Sequence, residues 1–344
     1  NSKAVNIVWL KRDLRSQDHE PLLMAECAGI PYLIIYLFEP SRIEYPDSSQ
    51  RHLQFVYHSI VNLNKVLSEF NRRVELFYGE AIDVFNYLIK DLDIISVFSY
   101  QESGTQCSWE RDKKIKQFCK SNQISWKESQ RDGILRGIKN RENWNKKWHI
   151  KMHTSVIQNK YTISKKTHLE HPFLIPSELE SQIKEYPSYY QPPGEKNAWR
   201  YLRSFANKRG FNYRRHISKP MESRISCSRL SPYLAWGNIS VKQAFQFIET
   251  HTNGTRNNKT FSAMLTRLHW HCHFIQKFEM ECRYETECIN RGYEILPHEK
   301  NEVFIKAWKT GTTGYPLIDA CMRAVESTGW INFRVRAMVV SFLT

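Results

Sequence analysis

Serines, an arginine and a proline crowd the stretch Ser226-Cys227-Ser228-Arg229-Leu230-Ser231-Pro232-Tyr233-Leu234. Ser231 reads as a helix N-cap and Pro232 as the first helical residue, because a cap oxygen accepts from an unpaired backbone N–H and proline has none to leave unpaired. A helix start gathers such N–H groups and a positive partial charge. With two serine hydroxyls and Arg229 beside it, the turn suits a phosphate or pyrophosphate, although the same residues also describe an ordinary capped helix. Gly237 fits the end of this helix and Ser240 a second N-cap, so two short helices meet at a tight bend.

A second constellation runs Thr313-Gly314-Tyr315-Pro316-Leu317-Ile318-Asp319-Ala320-Cys321-Met322-Arg323, followed by Thr328-Gly329-Trp330 and Arg334-Val335-Arg336. Glycine and proline again precede a helix, with Leu317, Ile318, Met322 and Val325 as its buried face. Arg334 and Arg336 lie two apart and point to different sides of the next helix, where they can hold an anion. Lys196, Arg200, Arg203, Lys208, Arg209, Arg214 and Arg215 fall within twenty residues that contain no acid. By charge this is the first candidate for a nucleic-acid contact; the alternative is a solvated helix face. His269 and His273, four apart, share a helix face with His271 and Cys272 nearby. No acidic third ligand stands at a usual spacing, so they read as hydrogen-bonded residues of a packing helix rather than metal ligands.

These groups must be positioned by the rest of the chain. Residues 1–130 alternate β-branched or aromatic runs with helical periods, the pattern of a parallel sheet covered by helices. Strands are predicted at Val5–Leu10, Tyr32–Phe38, Arg73–Phe77, Ile94–Tyr100 and Ile124–Lys127. Leu53, Val56, Ile60, Leu63, Leu67 and Phe70 make one apolar helix face. Leu10-Lys11-Arg12-Asp13-Leu14-Arg15 stands where a dinucleotide fold would carry GxGxxG, so an ordinary Rossmann site is not expected. Residues 131–194 are polar and proline-broken and read as an interdomain connector. Residues 195–344 are all helical in period, with helices predicted at Asn197–Asn207, Pro232–Trp236, Val241–Thr250, Phe261–Glu279 and Leu317–Ser327.

Fifty lysines and arginines against thirty-five acids give +15 over 344 residues, which favours phosphate-rich partners. No apolar run reaches the ~20 residues that span a bilayer. Asn1-Ser2-Lys3-Ala4 lacks the apolar stretch of a secretory signal. Eight cysteines without CxxC pairing indicate neither a disulfide framework nor a zinc knuckle, and a reducing, cytoplasmic setting is expected.

At its motifs the sequence resembles the photolyase/cryptochrome family. Thr313–Arg323 matches that family's Thr-Gly-x-Pro, two aliphatics, Asp-Ala-x-Met-Arg without a mismatch. Val8–Arg15 is similar to its first strand and loop, which share the Arg-Asp-Leu-Arg core. Ser228-x-Leu230-Ser231-Pro232-Tyr233-Leu234, with Gly237 and Ser240, looks like its first flavin-phosphate segment. The resemblance implies an α/β antenna domain, a helical domain holding bent FAD, and a further chromophore that is folate, deazaflavin or flavin. Gln101-Glu102-Ser103-Gly104, after the fourth strand, is at the edge where open α/β sheets bind ligands. It further implies that Ser228, Leu230 and Ser231 contact the FAD phosphates, with Arg229 adding charge, and that Arg336 lies beside the flavin ring. A monomer acting in blue light on ultraviolet lesions in double-stranded DNA is the implied activity, with the damaged bases turned out of the duplex, a process for which photolyases are a standing example.

The helix that in photolyases usually reads Asn-Glu-x-x-Trp-Arg here reads Thr266-Arg267-Leu268-His269-Trp270-His271. Trp270 keeps a flat surface on which a base can stack, whereas Arg267 reverses the expected charge. Phe333 stands where many members carry asparagine or aspartate. Trp270, Arg267, Arg334, Arg214 and Arg215 are the expected DNA and lesion contacts. A blue-light receptor that binds FAD without repair is the competing reading, and a flavoenzyme of redox metabolism a third. Family members continue beyond the position of Thr344, so the helical domain is expected to be incomplete, with the residue facing flavin N5 outside the sequence.

Overall fold

A computed structural model describes residues 3–165, 169–252, 258–297 and 299–344. Five parallel strands form one sheet in the order 3-2-1-4-5: β1 (Lys3–Leu10), β2 (Tyr32–Phe38), β3 (Val74–Tyr78), β4 (Leu92–Tyr100) and β5 (Ser125–Ser129). The central strands are nearly unbroken apolar runs because both sheet faces are covered. Val5, Ile7 and Trp9 face the helices Ala81–Asp91 and Gln106–Ser121, while Val8 and Leu10 face Glu20–Cys27 and Gln50–Leu67. This alternation follows from the two-residue period of a strand. The apolar stripe starting at Leu53 continues in the α-helix to Leu67, and Phe70 follows on a single 3₁₀ turn.

Beyond Glu195 the described structure is helical, as the periodicity predicts. Leu202, Phe205, Tyr233, Phe245, Phe261, Leu268 and Cys272 share one core. The expected helix Asn197–Asn207 stops at Ser204 and passes into a wider turn, Phe205–Arg209. There Gly210 N–H reaches back to the Phe205 carbonyl at 2.9 Å, and Arg209 takes the Tyr201 carbonyl at 2.9 Å. Within the span read as a connector, the helix Trp144–Met152 sends Trp144, Trp148 and Met152 into the helical core. Their spacing of four puts all three on one face. Among the described residues no helix is long and apolar enough to cross a membrane.

Two caps were legible in sequence. Ser240 Oγ accepts from Gln243 N–H while Gln243 Oε1 accepts from Ser240 N–H, both at 2.9 Å, a reciprocal capping box that starts the helix Val241–Thr252. Gly237 follows the helix Ser231–Ala235 with φ +70°, a left-handed conformation glycine adopts without steric cost.

The loop after β1 joins the two domains. Asp13 accepts from Lys11 N–H at 2.7 Å and lies 2.8 Å from His19 Nε2, so the loop is folded on its own carboxylate. Arg15 donates to the Asp18 carbonyl and, at 3.1 Å, to the Gly237 carbonyl. Leu14 N–H donates to the Trp236 carbonyl at 3.1 Å, and Asn238 Nδ2 to the Leu14 carbonyl at 2.9 Å. Asp18 accepts from Ser240 Oγ at 2.6 Å and pairs with Lys242 at 2.8 Å. The Arg-Asp-Leu-Arg run is thus an interdomain clasp, which explains why no glycine-rich phosphate loop occupies this place.

Candidate functional site

Loop Cys227–Ser231, the helix Asn258–Met280 and the segment Trp330–Arg336 enclose a cavity of ≈ 320 Å³ in the helical domain. Ser228, Arg229, Leu230, Ser231, Arg267, Trp270 and Arg336 all line it, although they span more than a hundred positions of sequence. Arg267, Trp270, His271 and Phe274 reach it together because spacings of three and four share one helix face. The opposite face sends Leu268 and Cys272 into the core.

The turn beneath the cavity differs in detail from the sequence reading. Arg229 adopts φ +62°, so Leu230, already in a helical conformation, takes the cap position, Ser231 becomes the first helical residue and Pro232 the second. Ser228 is buried and Ser231 exposed. Arg229 is secured by its surroundings: Nε donates to Gln191 Oε1 at 2.9 Å, Nη1 to the Arg224 carbonyl at 3.2 Å, and the guanidinium lies 4.2 Å from the Trp330 ring centre. Burial, with Arg224 and Arg209 nearby, lowers its pKa to about 10. A residue held this way shapes the wall as well as charging it.

Arg209, which the sequence offers as part of a nucleic-acid surface, is instead half-buried. It donates to the carbonyls of Ile225, Cys227 and Ser228 and so fixes the same turn from behind. Burial lowers its pKa. Lys196, Arg200, Arg203, Lys208, Arg214 and Arg215 are exposed. Arg214 and Arg215 sit on the short helix Tyr213–His216, next to Tyr213 and Ile217 of the cavity wall, but do not line it themselves. Arg334 is exposed outside the cavity while Arg336 lines it, the opposite directions expected from their spacing.

Trp270 is 40% exposed at the wall, an unusual exposure for the largest apolar side chain. The Arg267 guanidinium lies 4.3 Å from its ring centre and 5.8 Å from that of Phe333. Burial pushes the Tyr213 hydroxyl up to about 12. Arg336 makes no side-chain hydrogen bond or ion pair among the described residues. No carboxylate lines this cavity among the described residues. Three arginines, several aromatic rings and enclosed serine and histidine side chains suit a ligand that carries both phosphate and planar rings.

The Thr313–Arg323 motif holds itself together. Asp319 accepts from Thr313 N–H at 2.8 Å, Thr313 Oγ1 at 2.6 Å and Gly314 N–H at 3.0 Å, and these bonds lower its pKa. Arg323 closes the turn on the Gly311 carbonyl at 2.8 Å. Asn332 caps the last helix through Val335 N–H and donates to Ser223 at 2.9 Å, tying that helix to the cavity. His269 packs on Trp144 and Trp148, and His273 meets Arg141 at 2.9 Å. Among the described residues no group of three His, Cys, Asp or Glu could hold a metal ion.

A second cavity, ≈ 210 Å³, lies at the carboxyl ends of β1, β2 and β4, where strand order changes direction. Glu102 on its wall accepts from Arg12 at 3.1 Å, Arg42 at 3.3 Å and Arg111 at 2.7 Å. Burial alone would raise the Glu102 pKa, but Arg42, Arg111 and Arg12 overcome it and hold the carboxyl well below the usual range. Arg42 Nη1 is enclosed without a hydrogen-bond partner. Trp236 closes the cavity from the helical domain, 4.6 Å over the Arg12 guanidinium. The helix Ser231–Ala235 therefore has the first cavity at one end and the second at the other.

The roles of Gln191 and Arg209 in organising the turn were not legible in sequence, for their partners there lie sixteen to thirty-eight residues along the chain. Trp330 was visible as an aromatic residue in the right segment, but nothing in its spacing announced that it covers Arg229.

Fold and site define a two-domain protein: an α/β layer clasped to a helical domain whose cavity suits an anionic, ring-bearing cofactor. Residues 6–168 match the family pattern of DNA photolyase, and residues 264–344 that of the FAD binding domain of DNA photolyase. The deoxyribodipyrimidine photo-lyase of Buchnera aphidicola subsp. Acyrthosiphon pisum is 25% identical over 98% of this chain and 73% of its own length. Cryptochrome DASH of Synechocystis is 23% identical over 98% of this chain and 73% of its own. An archaeal photolyase from Sulfolobus tokodaii, crystallised with two FAD molecules, superposes with a TM-score of 0.78 at 26% identity, covering 98% of this chain and 74% of that one. The chain belongs to the photolyase/cryptochrome family. Its cofactor is FAD, and the cation-rich, acid-free cavity with its enclosed polar side chains fits that group.

Proposed function

We propose that this protein repairs ultraviolet-induced pyrimidine dimers in DNA, using blue light and FAD held in the helical-domain cavity. The observation that carries the reading is the exposed Trp270 ring, backed by Arg267 and bordered by Phe333, on a wall without a carboxylate. Bound FAD supplies an electron to the dimer on absorbing light. The protein's share is placement: Ser228, Leu230 and Ser231 receive the phosphates of the cofactor, and Arg336 lies against its ring. Trp270 stacks on an extruded base, as aromatic side chains do with unpaired bases. Arg267, Arg334, Arg214 and Arg215 hold phosphates of the strand; Arg267 replaces a negative charge by a positive one, so lesion recognition rests on stacking and phosphate contact. The smaller cavity takes a second chromophore.

The test is incubation of the FAD-loaded protein with DNA carrying cyclobutane dimers or (6-4) photoproducts, in light and in darkness. Repair in light alone is the expected result; flavin photoreduction without repair assigns the protein to the photoreceptor side of its family. Trp270→Ala should weaken damaged-DNA binding roughly 5- to 100-fold, the loss of one base stack of ~1–3 kcal/mol, while leaving FAD affinity unchanged. Unchanged lesion affinity would remove Trp270 from the interface. Arg336→Ala should weaken FAD binding about 10- to 100-fold, the cost of a charged hydrogen bond. Titration of the protein with FAD, followed by flavin fluorescence, reads that change.

A further inference from the structure

A row of histidines lies where the helix Trp144–Met152 packs on the helix Asn258–Met280. His149 and His269 stack across this seam, their ring centres 6.0 Å apart and their planes within 17° of parallel. His153 extends the row on one side, 6.4 Å from His149, and His273 on the other, 6.5 Å from His269. The spacing of four puts each pair on one helix face. His269 also meets Trp144 and Trp148, at 5.1 and 4.7 Å between ring centres, and these two side chains anchor the connector helix in the core. The seam is thus built of aromatic rings, several of which can take up a proton.

The histidines are not equivalent. An arginine can only donate, and Arg141 Nη1 lies 2.9 Å from His273 Nδ1, so this ring accepts and is neutral. Lys277, one turn along the helix, is a second positive neighbour of His273. His269 Nε2 is enclosed without a hydrogen-bond partner. A neutral ring leaves that nitrogen as a bare acceptor, whereas an imidazolium would place an N–H there with nothing to receive it. Burial lowers the pKa of both, helped at His269 by His149 and His273, and at His273 by Arg141 and Lys277. His153 is arranged in the opposite sense. Both its ring nitrogens have acceptors, the His149 carbonyl at 2.7 Å and Glu249 at 3.1 Å, and they raise its pKa. Glu249 belongs to the helix Val241–Thr252, so this pair ties the connector helix to a different neighbour.

We propose that the seam is an acid-sensitive latch: proton uptake by His269 and His273 releases the helix Trp144–Met152 from the helix Asn258–Met280. When the seam opens, both imidazoles enter water and regain the ordinary value of about 6.5. The closed form is therefore undisturbed above about pH 6.5 and weakens as pH falls toward the lowered values, because the open form binds more protons. The His153–Glu249 pair works against this, but it is one group against two and it holds another helix. Arg267 and Trp270 line the cavity from the helix Asn258–Met280, so the latch supports one cavity wall.

Hydrogen exchange of the FAD-loaded chain at pH 7.5 and pH 5.5, corrected for the intrinsic pH dependence of exchange, reads the opening helix by helix. In wild type, protection of the helix Trp144–Met152 should fall roughly 3- to 30-fold at pH 5.5, since each proton taken up on opening contributes at most about tenfold per pH unit. Protection of the helix Val241–Thr252 should change less than twofold. The double variant His269→Phe/His273→Gln keeps a ring at one position and an acceptor for Arg141 at the other, takes up no proton there, and should lose less than twofold of its protection. Equal wild-type protection at the two pH values overturns the proposal. So does a fall of wild-type size in the double variant, or one that runs equally through the helix Val241–Thr252, which would be general acid unfolding. If the double variant does not fold, His273→Gln alone serves: a smaller fall than wild type supports the latch, and an equal one overturns it.

Discussion

Glu102→Gln should destabilise the protein by about 3–5 kcal/mol at neutral pH, the cost of removing one partner from a buried ion network. Glu102 is 3% exposed and serves three guanidiniums, Arg12, Arg42 and Arg111, which cannot shed their charge. Glutamine preserves the shape but leaves these cations with only Glu39 and Asp112, both already bonded to Arg111. The pH dependence follows from the depressed Glu102 pKa: its contribution is fully present above the unfolded value of about 4.3 and disappears as pH falls through the folded value. Urea unfolding of both proteins from pH 7 to pH 3 should therefore show a wide gap that narrows on the acid side. A gap of constant size across that range would mean the loss does not come from the charge of the Glu102 carboxylate.

Gly237→Ala should cost about 2–5 kcal/mol, combining ~1–3 for overpacking with ~1–2 for a left-handed alanine. A Cβ at Gly237 would sit 2.2 Å from the Arg12 carbonyl oxygen and 2.6 Å from Asp13 Cα, and both are backbone atoms that cannot swing aside. The clash falls on the clasp between the domains, where Arg15 binds the Gly237 carbonyl. Calorimetry should show unfolding of the two domains moving further apart in temperature than in wild type as the clasp loosens. Gly137→Ala is the control: its φ is +74°, but nothing lies within 4 Å of the added carbon, so only the conformational part should remain. Equal losses in the two variants would remove the close approach as the cause.

Because Gly237 ends the helix Ser231–Ala235, the same loosening reaches both cavities. The Ser228–Ser231 end lines the cavity of the helical domain, the proposed FAD site, and the Ala235–Trp236 end lines the cavity of the α/β domain. FAD affinity of Gly237→Ala measures how far the clasp supports the cofactor turn.

Local chemistry determined the elements of this fold. The apolar run Tyr32–Phe38 could only be a strand covered on both faces, the spacing from Leu53 to Leu67 could only be a helix stripe, and Ser240 marked a helix start. Two positions that meet at the cavity were also legible, for Arg267 and Trp270 share a helix face whatever surrounds it. What each side chain does there was decided by tertiary packing. Arg209 and Arg214 belong to the same basic run, yet one is turned inward onto three carbonyls and the other left in water. Arg229 is bound by Gln191, thirty-eight residues away, and covered by Trp330 from the far end of the chain. Periodicity and capping record interactions within a few turns of backbone, whereas charge, exposure and pairing depend on which distant surface arrives, and that is settled only when the two domains and the last helices pack together.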